Sequence, residues 1–244
     1  MLYEILMAIV QATTEFLPVS SSGHLALLGS ILSEPNLFLI TVLHTASLFA
    51  ILIFTRKEIF DLLSFKKETR SLWIWLIVAT LPAFAVGVLF KSHIETALSN
   101  LLFLGIAFVF TGIILLSTRS FSGNKKLNWK NSLGIGLMQA LALFPGVSRS
   151  GMAISGGLFS KLPKEKAIKF SFLLFIPLAV GAMISESGAF DFNYSLLVAF
   201  LVCFILSWIF LNFLYGIVKK GYFWVFGFYC FIVGIISLLL YLLL

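Results

Sequence analysis

Six uninterrupted apolar stretches, each close to the length that crosses a lipid bilayer, dominate this sequence. They cover residues 37–54, 72–90, 101–118, 170–184, 195–213 and 223–244. A transmembrane helix needs about 20 consecutive apolar residues, so we predict six full spans. Only 11% of the 244 residues are charged, whereas soluble domains carry about 25%. The predicted fold class is therefore an all-α polytopic membrane protein.

The chain also contains an internal repeat. At an offset of 128, Q-A-T-T-E-F-L-P-V-S-S-S-G at 11–23 aligns with Q-A-L-A-L-F-P-G-V-S-R-S-G at 139–151, and seven of thirteen positions are identical. At an offset of 122, residues 104–114 align with 226–236 and bring two glycines of each copy into register. We assign the copies to residues 1–122 and 123–244 of a single integral membrane domain.

Each copy begins with a segment that Pro, Ser and Gly interrupt, followed by three spans. A broken segment of this kind can enter the membrane and return on the same side. We predict two re-entrant helical hairpins, at about 1–36 and about 132–160. Because three spans is an odd number, the copies should have inverted topology, and their turns should match in backbone.

The basic residues predict an orientation, because cytoplasmic loops of membrane proteins are rich in Lys and Arg. If the loop 55–71 is cytoplasmic, fifteen of the seventeen basic residues fall on that side, and the exceptions are Lys91 and Arg149. Both termini and the loop holding Glu186 and Asp191 are then external. The net charge of +7 needs no nucleic acid as a partner, and we exclude one.

Polar residues converge on the two broken segments. Gln11 and Glu15 are four apart and share one helix face. The first turn then supplies Ser20, Ser21, Ser22 and His24, and the second supplies Gly146, Ser148, Arg149 and Ser150. A charge at bilayer depth costs about 2.5 to 3.5 kcal/mol, which makes Glu15 and Arg149 functional candidates.

These turns favour an anion. Each should lead into a helix that begins near Gly23 or Gly151 and presents free N–H groups, and Arg149 can bind phosphate as a bidentate fork. A diphosphate carries more charge than one Arg and two helix ends balance, so we expect a divalent cation, for which Glu15 is the natural ligand. A serine hydroxyl or His24 could attack phosphorus, and the residues alone do not choose between them. His44 and His93 we assign to non-catalytic roles.

The motifs Q-A-T-T-E-F-L-P-V-S-S-S-G-H and P-G-V-S-R-S-G resemble the two signatures of the bacterial undecaprenyl-diphosphate phosphatase family, the bacitracin-resistance type. The resemblance extends over nearly the whole chain. It implies that the catalytic residues are Glu15, Ser21, His24 and Arg149. It also implies that the phosphate site is lined by Ser20, Ser22, Ser148 and Ser150. Gln11 lies where many members have Glu, which weakens it as a metal ligand and leaves it as a substrate-binding candidate.

The resemblance implies hydrolysis of undecaprenyl diphosphate to undecaprenyl phosphate and inorganic phosphate, which recycles the lipid carrier of cell-wall synthesis. It places the site on the outer face of the bacterial cytoplasmic (inner) membrane and implies Mg²⁺ or Ca²⁺ as the cation. The prenyl tail would lie among membrane lipids, and a homodimer remains open. The alternative is a transporter or flippase of polyprenyl phosphate, because inverted repeats with broken helices are also typical of carriers.

Overall fold

The computed structural model describes residues 1–32, 37–64, 67–185 and 193–243, and in these ranges the chain is helical with no strand. In chain order the helices are α1 (Leu2–Phe16), α2 (Ser21–Leu32), α3 (Leu37–Phe54), α4 (Arg56–Leu63), α5 (Lys67–Leu89), α6 (Lys91–Leu98), α7 (Leu101–Ser117), α8 (Trp129–Leu141), α9 (Arg149–Phe159), α10 (Lys164–Ser185), α11 (Tyr194–Lys220) and α12 (Phe226–Leu243). Short 3₁₀ turns at Thr118–Ser120 and Phe223–Val225 follow α7 and precede α12.

Long apolar helices confirm the polytopic membrane class. Five of them, α5, α7, α10, α11 and α12, are long and apolar enough to cross a bilayer. A sixth span results if α3 and α4, which meet at a bend of 73°, are counted together. Each apolar stretch of the sequence thus contains one long helix. The loop with Glu186 and Asp191, which the basic residues predict to be external, lies outside the described residues.

Helices α7 and α12 approach each other closely at two pairs of glycines. A Cβ atom added to Gly105 would lie 3.1 Å from the carbonyl oxygen of Gly234, and one added to Gly112 would lie 2.9 Å from that of Gly227. Small residues allow backbones to approach in this way within membranes. Gly105 and Gly227 occupy equivalent repeat positions, as do Gly112 and Gly234. Each contact therefore recurs with the two copies exchanged.

The same exchange relates two other helix pairs. Helix α1, the first arm of one broken segment, packs against α11, and α8, the first arm of the other, packs against α5. Helix α9 packs against α7, α8 and α10 at the centre of the bundle. Phe16 at the end of α1 contacts the Phe175 ring of α10, with centroids 5.5 Å apart. Both broken segments are thus held in the core.

Several basic loops meet at one end of the bundle. Glu58 pairs with Lys169 at 2.7 Å, and Glu165 pairs with Lys219 at 2.8 Å. These contacts bring together the start of α4, the start of α10 and the end of α11. At the opposite end of α11, Ser195 Oγ lies 3.4 Å from the Glu4 carboxylate of α1. The charged loops and the amino terminus are therefore at opposite ends.

Candidate active site

The turns of the two broken segments touch, as their predicted convergence requires. The Gly146 amide donates to Ser20 Oγ at 3.1 Å, and Ser150 Oγ donates to the Leu17 carbonyl at 3.2 Å. Helix α7 braces the second turn, because Thr111 Oγ1 donates to the Gly146 carbonyl at 3.0 Å and accepts from the Ser148 amide at 3.2 Å. The two turns and α7 form one hydrogen-bonded unit.

The backbones of the two turns differ, so the prediction that they match is wrong at this point. Ser20 has φ of 66°, in the left-handed region, whereas Gly146 takes that conformation in the second turn with φ of 88°. Ser148, the repeat equivalent of Ser20, has φ of −77°. The equivalent of Gly146 is Pro18, whose ring fixes φ near −65°. The first turn must therefore reverse at another residue.

Both turns lead into helices, α2 from Ser21 and α9 from Arg149, two residues before the predicted starts. Ser20 Oγ accepts from the Gly23 amide at 3.3 Å, and Ser148 Oγ caps α9 by accepting from the Gly151 amide at 3.1 Å. The amides of the first two residues of each helix, Ser21 and Ser22 in α2 and Arg149 and Ser150 in α9, have no acceptor within the described ranges. Two helix amino termini with free N–H groups therefore flank the same space, which favours an anion.

A cavity of about 200 Å³ lies between the turns. Its wall contains six of the predicted site residues, Glu15, Ser20, Ser21, Ser22, Ser148 and Arg149, and also His44 and an apolar face of α10 formed by Phe175, Leu178, Ala179 and Ala182. The other four predicted residues, Gln11, His24, Gly146 and Ser150, do not line it. Of these, Gln11 still contacts the site, because its Nε2 donates to Glu15 Oε2 at 2.9 Å.

Glu15 is the centre of the polar contacts. Its carboxylate is 2% exposed, and a buried charge needs partners. Arg149 Nη2 donates to Oε1, and Ser21 Oγ donates to Oε2 at 2.5 Å. The Oε2 atom also lies 3.6 Å from His44 Nε2. One carboxylate thus links residues of α1, α2, α3 and α9.

The Arg149 guanidinium is fixed from two sides. It pairs with Glu15, and its Cζ lies 3.9 Å from the centroid of the Phe175 ring. The Arg149 side chain remains 22% exposed and lines the cavity. A guanidinium has five N–H donors, so donors beyond the one given to Glu15 remain for a ligand.

The two histidines near the turns have different surroundings. Both ring nitrogens of His24 are engaged, Nδ1 with the Ser20 carbonyl at 2.8 Å and Nε2 with the Tyr229 hydroxyl at 2.8 Å. The His24 ring also stacks on Tyr229 and does not line the cavity. His44 does line it. The sequence patterns placed neither His44 nor Phe175 in the site, although an ionisable residue inside a span is itself a functional signal that points to His44.

The cavity offers few ligands for a metal ion. No group of three or more His, Cys, Asp or Glu side chains suitable for a metal occurs in the described part of the chain. Glu15 is the one carboxylate among the lining residues, and both its oxygens already have partners. Mg²⁺ is commonly held by one or two carboxylates together with substrate phosphates. This donor set fits a cation held largely by a phosphorylated ligand, and it does not form a cage of protein ligands.

Fold and site together define a class, a polytopic helical membrane protein with a cavity lined by Arg149 and serines between two helix-linking turns. Within this class, the chain belongs to the family described as bacitracin resistance protein BacA, which matches residues 4–236. A relative from Thermosipho africanus named undecaprenyl-diphosphatase is 38% identical over 96% of this chain and 97% of its own. Relatives of the same name from Thermosipho melanesiensis and Korarchaeum cryptofilum are 39% and 34% identical, over 97% and 95% of this chain and 98% and 95% of their own.

Proposed function

We propose that this protein hydrolyses undecaprenyl diphosphate to undecaprenyl phosphate and inorganic phosphate. The observation that carries the proposal is the Ser21 hydroxyl, which donates to Glu15 Oε2 at 2.5 Å inside a cavity that also holds Arg149. A nucleophile, an adjacent base and an anion-binding cation are the groups that phosphoryl transfer requires. The names of the relatives supply the lipid substrate.

Binding comes first. The diphosphate lies between the free amides at the starts of α2 and α9, with its negative charge facing Arg149. The apolar face of α10 excludes bulk water from the reacting phosphorus. Because these donors are already held by the turns and by Phe175, little reorganisation is needed when charge develops on the transferred phosphoryl group.

Chemistry then proceeds in two steps. Ser21 Oγ attacks the terminal phosphorus, and its proton passes to Glu15 Oε2. The bond to the bridging oxygen breaks, and the lipid monophosphate leaves with that electron pair and takes the proton from Glu15. Water next attacks the phosphoserine, one water proton passes through Glu15 to Ser21 Oγ, and inorganic phosphate leaves. Glu15 thus serves as base and acid in turn.

His24 has a supporting part in this scheme. Because a carbonyl only accepts hydrogen bonds, His24 Nδ1 donates to Ser20, and Nε2 accepts from Tyr229. The ring therefore ties the first turn to α12, and Ser21 is the nucleophile. Gln11 orients Glu15, and Ser150 and Gly146 hold the turns together. We further propose that the divalent cation, Mg²⁺ or Ca²⁺, enters bound to the diphosphate and neutralises part of its charge.

The inverted repeat with two re-entrant hairpins, divided at residues 122 and 123, is part of the proposal. The exchanged glycine contacts of α7 and α12 support the repeat. Three contacts support re-entrance. Glu4 at the start of α1 lies near Ser195 while α2 packs against α6, and the Lys125 amide, before α8, donates to the Lys161 carbonyl, after α9, at 2.9 Å. These contacts favour a path in which each broken segment begins and ends at the same end of the bundle.

The location follows from the same arrangement. We place the basic end of the bundle in the cytoplasm and the amino terminus outside the bacterial inner membrane. The first hairpin then opens outward, and the site faces the external side, where the lipid diphosphate is to be hydrolysed.

The test is phosphate release from undecaprenyl diphosphate by protein purified in detergent. Ser21→Ala should lower kcat by at least ~10³-fold, as expected for loss of a nucleophile. Ser117→Ala is the matched control, because Ser117 is exposed and bonds only to the Ile114 carbonyl. Unaltered turnover by Ser21→Ala would show that Ser21 is not the nucleophile. Absence of any phosphate release by the unsubstituted protein would instead favour a flippase, which needs no chemistry.

A further inference from the structure

His44 is the one imidazole in the wall of the Glu15 cavity. Its side chain is 30% exposed and lies near Oε2 of Glu15, whereas Arg149 contacts Oε1. The scheme above leaves His44 without a role. It also leaves the water of the second step without a partner besides Glu15.

The hydrogen position on His44 follows from its other contact. Nδ1 lies 2.9 Å from the Ile40 carbonyl oxygen, and a carbonyl only accepts, so Nδ1 carries the hydrogen. In the neutral ring Nε2 then has a lone pair. That lone pair faces Glu15 Oε2 at 3.6 Å, too far for a direct hydrogen bond. With the ring in this neutral form both atoms are acceptors, and one shared donor can bridge them.

A single water molecule is the donor that suits this pair. It can give one hydrogen to His44 Nε2 and the other to Glu15 Oε2, which leaves its oxygen lone pairs directed away from both. In the free protein Ser21 donates to Oε2. Once Ser21 carries the phosphoryl group, its hydrogen is gone, and Oε2 can accept from water. The attacking water can therefore bind beside Oε2 once Ser21 is phosphorylated, which is when hydrolysis of the phosphoserine requires it.

The α10 wall of the cavity gives this water no polar partner. Phe175, Leu178 and Ala179 line the cavity on the α10 side, and none of these side chains can hold a water molecule in place. Holding a reactant in the correct geometry lowers the barrier, and a small misplacement can cost about 100-fold in rate.

We propose that His44 is a catalytic residue that orients the attacking water by accepting a hydrogen bond at Nε2. The proposal rests on the proposed function, since it concerns the water that cleaves the phosphoserine. The oxygen of that water bonds to phosphorus, the P–Oγ bond of Ser21 breaks, and the water proton on the Oε2 side passes through Glu15 to Oγ. His44 keeps its own hydrogen throughout and need not change its charge.

The experiment compares His44→Leu with His44→Gln in the full-length protein in detergent. Leucine has no acceptor, so kcat should fall by ~100-fold. Because only the second step is slowed, KM should fall with kcat, and kcat/KM should stay nearly unchanged. Phosphorylated Ser21 should accumulate and be visible as an added phosphoryl mass after an acid quench. The Gln side chain again offers an oxygen acceptor, and His44→Gln should recover most of the lost rate.

The matched control is His93→Leu, because His93 is exposed on α6 and contacts the ring of Phe90. It should turn over like the unsubstituted protein. If the unsubstituted protein forms phosphoserine and the His44→Leu variant has a normal kcat, the role proposed for His44 is wrong and the Ser21 scheme stands. Equal losses in the Leu and Gln variants without phosphoserine would also overturn it. Phosphate release by the unsubstituted protein, with phosphoserine detected neither in it nor in a slowed His44→Leu variant, would refute the Ser21 scheme and this step with it.

Discussion

At the scale of single residues, Glu15 shows how one buried carboxylate can organise a site. Its oxygens take donors from Arg149, Ser21 and Gln11. Removing one partner of a buried pair leaves the other charge uncompensated, which typically costs about 3 to 5 kcal/mol. A substitution that keeps the positive charge is therefore needed to separate chemistry from folding.

Arg149→Lys makes that separation. Lysine keeps the charge beside Glu15 but loses the planar fork and the stacking on Phe175, so we expect kcat/KM to fall by ~100-fold or more while the protein stays folded. Phosphate release and thermal unfolding in detergent measure the two effects.

Arg119→Lys is the matched control, because Arg119 also lies over an aromatic ring, that of Trp224, with Cζ at 4.7 Å from the centroid, and lies outside the cavity. Comparable losses of activity in both variants would refute a specific role for the Arg149 fork.

At the scale of helices, the sequence predicts what depends on bilayer thickness and on local backbone chemistry. The spans and the helix starts after both turns were predictable because apolar length and Ser-Gly capping are local signals. Helices α4 and α6 were not, since eight residues carry no signal of bilayer length. The left-handed conformation of Ser20, the approach of His44 to Glu15 and that of Phe175 to Arg149 depend on contacts between helices that are distant in sequence.

The crossing of α7 and α12 gives a prediction at this scale. Gly112 and Gly234 are equivalent repeat positions, and a Cβ on either would meet backbone or side-chain atoms at about 3 Å. Gly112→Ala and Gly234→Ala should each destabilise the protein, by about 1 to 2 kcal/mol, which corresponds to a fall in Tm of about 2 to 8 °C. Thermal unfolding in detergent measures both.

Gly216→Ala on α11 is the control, because a Cβ there would meet nothing within 4 Å. Alanine is the better helix former, so this variant should be as stable as the parent or more stable. A large difference between the two equivalent substitutions would argue against a symmetric crossing.

At the scale of the whole molecule, the orientation proposed from the basic loops agrees with the chain path of the second broken segment. Loops rich in Lys meet at one end, where ion pairs such as Glu58 with Lys169 form. Because Lys125 before α8 and Lys161 after α9 are hydrogen-bonded to each other, the second broken segment returns to the end at which it began. A cavity between two such segments can open toward one end of the bundle although one of its two turns enters from the opposite end.

Labelling of introduced cysteines with a membrane-impermeant maleimide tests this arrangement. Lys125→Cys and Lys166→Cys flank the second broken segment, and both positions are exposed. Both should react only after cells are permeabilised, because a re-entrant segment leaves its two ends in the cytoplasm. Lys91→Cys, exposed on α6, should react in intact cells. The parent protein gives the background, since Cys203 and Cys230 are buried. Reaction of Lys125→Cys and Lys166→Cys from opposite sides would make α8 and α9 a full span, and the inverted repeat would then be wrong.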